Sequence, residues 1–160
     1  NLLIGQVYFG TKFLFLHHNG QYSVRVSIDS QFTQMLYDHE YLFSAKNVNP
    51  ELKAEAIALC VGLSARLKTP AFLFGLEEYV PFPVQVQDIV QWLLNPELQD
   101  SKFLHADLVG IDSTLIDRQK LANLWKANEH IQESTAGYLL MDRYGLLASQ
   151  LEAADSQHHG

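Results

Sequence analysis

With 160 residues, a hydrophobic share of 48% and a charged share of 18%, the chain can bury a core as one domain and is not a disordered segment. Its net charge of −7 argues against unspecific nucleic-acid binding, which needs clustered Lys and Arg. The lone cysteine, Cys60, excludes an internal disulfide framework and reads as a core thiol.

So little charge leaves the surface to Gln, Asn, Ser and His, or to cover by a partner. The acidic excess lies in the middle, where Asp88, Glu97, Asp100, Asp107 and Asp112 face Lys102 alone. An electrostatic partner should therefore be basic. No apolar run approaches a membrane span and no basic leader precedes an apolar one, so a cytoplasmic chain without membrane insertion is expected. An opening Asn1 rather than Met reads as an excised domain or a processed product.

The first element is a β-hairpin. Apolar Phe13 to Leu16 leads into Asn19-Gly20, and Tyr22 to Ile28 then alternates. Asn-Gly tolerates two successive positive φ values, which a type I′ turn needs. Val24, Val26 and Ile28 should share the dry face, with Ser23, Arg25 and Ser27 on a wet one. Gln31 to Tyr37 suggests a helical turn and Glu40 to Ser44 an extended piece.

A helix is predicted from Pro50 to Lys68. Asn49 can cap it, Pro50 suits the first position and Glu51 complements the positive end. Leu52, Ala56, Leu59, Leu63 and Leu67 form its apolar stripe, and Thr69-Pro70 ends it. Ala71 to Phe74 reads as a strand buried on both faces. Val80 to Pro83 must be extended, because two prolines deny it ladder bonds. Val84 to Leu94 returns to helical spacing, with Val86, Ile89, Val90 and Leu93 on one face and Asn95-Pro96 as the break.

Phe103 to Ile111 is predicted as a strand. Thr114 and Asp117 suggest a capping box for a helix reaching Ile131, lined by Leu121, Leu124, Trp125, Asn128 and Ile131. A second hairpin is expected from Gly137–Met141 and Leu146–Ser149 around Asp142 to Gly145, and a polar tail from residue 153 to 160.

The seven histidines show no metal spacing. Adjacent His17 and His18 point to opposite faces, and Asp38-His39-Glu40 reads as a polar loop. The nine glycines form no phosphate-cradling loop, so no nucleotide cofactor is expected. His105 and Asp107 share a face of the predicted strand. They could be a catalytic base with its orienter, a buried hydrogen-bonded pair, or an edge facing water.

These readings converge on an α+β fold: a mostly antiparallel sheet of two hairpins plus one or two extra strands, packed by about three helices, in one domain over 1–152. The leading function is a small binding or regulatory protein acting through a protein partner or self-association, with Tyr79, Phe82, Trp92 and Trp125 as aromatic anchors. The alternative is a small-molecule hydrolase or lyase using His105 and Asp107.

Overall fold

An apolar strand with side chains on two faces needs a cover on each, and the central sheet receives both. The computed structural model describes residues 2–4, 7–28, 32, 50–75, 80, 82–96 and 106–142. Among these, α1 spans Pro50–Leu67, α2 Val86–Leu94 and α3 Arg118–Trp125. Strands β5 (Ala71–Phe74), β6 (Leu108–Asp112), β7 (Ile131–Glu133) and β8 (Tyr138–Asp142) form one antiparallel sheet in the order β5-β6-β8-β7. Two separate ribbons precede it: β1 (Leu2–Ile4) with β2 (Val7–Phe9), and β3 (Thr11–His18) with β4 (Gln21–Ile28). The fold is α+β, as the composition and patterning imply.

The register assigns each side chain to a layer. Cross-strand partners share a face, so Leu73, Val109 and Met141 lie together, as do Ala71, Ile111 and Leu139. That face packs on Ile89, Trp92 and Leu93 of α2 and on Leu121, Ala122 and Trp125 of α3. The opposite face carries Phe72, Phe74 and Leu108, which meet Ile57 of α1. Lys53 of α1 also reaches Asp142 of β8, Nζ to Oδ2 at 3.5 Å. The sheet is thus sandwiched between α1 and the α2–α3 pair.

Gly110 makes the α1 face possible. Its partner Phe72 lays its ring directly over it, and a Cβ there would come within 2.1 Å of that ring. The ring is then held edge-on to Tyr138, with centroids 5.9 Å apart, and the Tyr138 hydroxyl donates to Thr69 O at 2.6 Å. Any side chain at Gly110 would displace Phe72 from this stack.

The first hairpin follows its sequence. Asn19 and Gly20 have φ of 50° and 75°, and Thr11–His18 pairs fully with Gln21–Ile28. Its burial does not follow: β4 is half-buried on both faces apart from exposed Tyr22, so the expected division into dry and wet faces is corrected.

Helix ends account for most other differences. Both α1 and α3 stop on a lysine in the left-handed region, Lys68 at φ 54° and Lys126 at φ 53°. After Lys68 the Thr69 N–H donates to Ser64 O and the Lys68 N–H to Ala65 O, the double bond pattern of a Schellman cap. Lysine there gives no glycine signal, so the helix expected to reach Ile131 ends at Trp125. Asn128–His130 forms a single 3-10 turn, and Ile131 opens β7. At the start of α3 Asp117 is the cap, accepting from Lys120 N at 2.7 Å, while Thr114 donates to Asp112.

The second hairpin joins β7 to β8 through Ser134–Gly137, with Gly137 at φ 87°. Along Leu139–Met141 both edges of β8 are taken, by β6 and β7, so the expected pairing with Leu146–Ser149 has no place there. Leu146–Ser149 itself, the Gln31–Tyr37 turn (all but Phe32), the Glu40–Ser44 piece and the tail lie outside the described residues. Strand β5 is half-buried rather than buried on both faces, because it forms the sheet's edge. The stripe of α1 is buried at Leu52 and Ala56, whereas Leu59 and Leu63 are half-buried and Leu67 is exposed. All three border a cleft, and Leu59 also packs against the small core cluster of Phe32, Leu52 and Ala56.

Candidate functional site

A cleft of about 950 Å³ separates the β3–β4 ribbon from the body of the protein. Every residue of β4 borders it on one side. Leu59, Cys60 and Leu63 of α1, all of β5, and Phe82, Val84 and Ile89 line the rest. Its wall is predominantly apolar, and its volume lies near the top of the range typical of small-molecule sites, ~300–1,000 Å³. Among the described lining residues the only charged side chain is Arg25. Half-buried on β4, it extends its guanidinium to 5.3 Å from the centre of the Phe82 ring, a cation–π distance. Burial pushes the Cys60 thiol up to about 12, offset in part by a backbone hydrogen bond. Though its residue surface is only half-covered, the enclosed sulfur stays protonated and is no nucleophile at neutral pH.

The outer side of the ribbon is the second feature. On β3, Phe13 is 52% and Phe15 65% exposed on one face, while Leu14 and Leu16 are exposed on the other. Tyr22 is 79% exposed beside them and stacks on His17 at 4.6 Å. Among the described residues β3 pairs only with β4, and no described strand covers its other edge.

The sequence-predicted residues scatter. Trp92 and Trp125 are withdrawn into the core at 3% and 0% exposure, with ring centroids 5.3 Å apart. Trp125 Nε1 donates to Leu93 O at 2.7 Å. Neither indole offers a surface, which corrects their reading as anchors: they fasten α2 to α3. Phe82 reaches the cleft, and Tyr79 lies outside the described residues. Asp107 is buried just before β6, its backbone N–H donating to Phe74 O at 2.8 Å. His105 lies outside the described residues.

Two features escaped the sequence reading. Arg25 was assigned to a wet face, and nothing in an alternating strand distinguishes a side chain reaching solvent from one reaching a cleft. The exposure of β3 did have a signal. Four consecutive apolar residues serve both faces of a strand, which only a two-sided cover or an open surface can satisfy.

No group of three or more His, Cys, Asp or Glu among the described residues could hold a metal ion. No described helix is long and apolar enough to cross a membrane. Comparison with family profiles, curated proteins and solved structures finds no match.

Proposed function

We propose that the chain is a small binding or regulatory protein that acts through protein contacts, with β3 as its contact strand. The supporting observation is the exposure of Phe13 and Phe15 on one face and of Leu14 and Leu16 on the other, on a strand whose outer edge no described strand pairs. Contiguous exposed apolar surface marks interaction sites. An extended segment of a partner, or β3 of a second copy, would add to that edge through main-chain bonds, with the exposed rings covering it. Strand β3 carries Lys12 and no acidic residue, so no carboxylate on the strand itself adds to the repulsion between copies.

Sedimentation equilibrium over rising concentration, on the wild type and on Phe15→Lys, tests the reading. A charge on a strand edge blocks pairing. The expected result is concentration-dependent association that Phe15→Lys removes while the melting temperature stays unchanged. A wild type that stays monomeric would leave only the foreign partner. A Phe15→Lys protein that loses about 2 kcal/mol or more would show that Phe15 belongs to the core, and would overturn the reading.

A further inference from the structure

We propose that the preferred partner of β3 is an extended apolar segment flanked at both ends by carboxylates. This rests on the contact-strand reading and names the chemistry of the partner it would take.

The centre of the strand sets the apolar part. Residues 13–16 are exposed on both faces, so a strand lying beside them must bring apolar side chains to each. Residues directly opposite across a strand pair share a face and touch. Four consecutive apolar residues would therefore meet Phe13 and Phe15 on one side and Leu14 and Leu16 on the other.

The ends of the strand set the charge. Lys12 precedes the apolar stretch and His17 and His18 follow it, all three exposed. The sequence from Thr11 to Ile28 contains no Asp or Glu, although the whole chain has 18 of them. A carboxylate opposite Lys12 gains a cross-strand charge pair, whereas a like charge there is destabilising.

A second copy answers these ends poorly. Matching residues 13–16 of two copies sets Lys12 opposite His17 of the second copy in an antiparallel pair, and beside its Lys12 in a parallel one. Neither alignment gives Lys12 a carboxylate. Self-pairing thus covers the rings and leaves the ends unmatched, while an acidic-ended segment satisfies both and would displace the second copy. The net charge of −7 opposes an acidic ligand only from a distance. Salt screens such effects beyond about 8 Å, which leaves contact charges on β3 to decide.

Isothermal titration calorimetry with two blocked peptides, acetyl-Glu-Val-Phe-Val-Phe-Glu-amide and its counterpart with lysine at both ends, reads the preference. Charges at both ends make the probe serve either strand direction. The expected result is binding of the glutamate peptide about fivefold or more tighter than the lysine peptide, the worth of cross-strand charge pairs. The preference should shrink as salt is raised. Lys12→Glu should remove it, and Phe15→Ala should weaken both peptides, each variant keeping the wild-type melting temperature. Equal binding of the two peptides, or a preference undiminished in Lys12→Glu, would overturn the proposal and leave the contact strand standing. Peptides that bind Phe15→Ala as tightly as the wild type sit elsewhere and would also overturn it. Binding of neither peptide would do the same, and capture by phosphatidylserine vesicles would then assign the ribbon to an anionic lipid surface. Should Lys12→Glu fail to fold, the peptide ratio of the wild type still decides. Sedimentation of Phe15→Lys tests the contact strand independently, so the two readings fail separately.

Discussion

Strands β3 and β8 are both rich in apolar residues and share the same pairing geometry, yet they end in opposite environments. Leu139 and Met141 of β8 are fully buried, whereas Phe15 of β3 is 65% exposed. The difference lies in the neighbours. β8 has a strand on each side, helices α2 and α3 above and α1 below, while among the described residues β3 has β4 alone. Burial is therefore a property of the cover a strand receives from distant parts of the chain, and an apolar run reports only the demand for it. In the body that demand is met internally. At the ribbon it is left for something else.

The largest expected effect tests this contrast directly. Leu93→Ala, in the core between α2 and the sheet, should cost about 2–5 kcal/mol, since the lost methyls leave a cavity that cannot collapse. Phe15→Ala should stay within about 0.5 kcal/mol, as surface substitutions do. Leu63→Ala at the cleft should fall between them, at about 1–2 kcal/mol, because its side chain is only half-buried. Urea unfolding of the three variants measures all of these. A Phe15→Ala cost as large as that of Leu93→Ala would erase the distinction between body and ribbon.

What was legible in the sequence follows the same line. Local chemistry carried its weight: Asn19-Gly20, Pro50 at the first turn of α1 and the Ile89–Leu93 face of α2 all lie where short-range rules put them. What failed was non-local, or lacked its usual residue. Trp92 and Trp125 are 33 positions apart and meet only in the folded chain, so their partnership has no signature in either segment. The pairing of β8 with β7 and β6 depended on a helix end written with lysine instead of glycine. The cleft is a space between elements, and spacing along a chain does not encode space between its parts.

That helix end yields the next prediction, which sharpens the description of the body. Lys126 holds φ at 53° so that Ala127 N–H can donate to Ala122 O and Ile131 can enter β7. A side chain in this conformation is strained where glycine is not. Lys126→Gly should therefore raise stability by about 0.5–1 kcal/mol, less the greater entropy of glycine in the unfolded chain. Lys68→Gly should do the same at the end of α1. A lower melting temperature in both variants would mean that the lysine side chains contribute contacts exceeding the backbone strain.

The smallest expected effect is a pH dependence at the edge of the body. Asp112 ends β6, and its Oδ1 accepts from both Thr114 N at 2.9 Å and Thr114 Oγ1 at 2.8 Å. These bonds, the backbone one first, favour the charged form and hold the Asp112 carboxyl below its ordinary value of 3.8. Because the folded-state value is depressed, the turn is stabilised fully above the unfolded value. That contribution fades as pH falls from about 3.8 through the folded value, where the proton binds and the acceptor weakens. Asp112→Asn, uncharged at every pH, lacks this dependence. The wild type should melt slightly higher than the variant at pH 6, and the gap should close on acidification below about pH 3.8. The group is exposed, so water screens the effect and the gap at pH 6 should be small. Thermal melts of both proteins at pH 6 and pH 3 read it as a difference of differences, which cancels the acid sensitivity of the remaining carboxylates. A gap that widens toward pH 3 would reverse the sign and show that the folded state favours the protonated carboxyl.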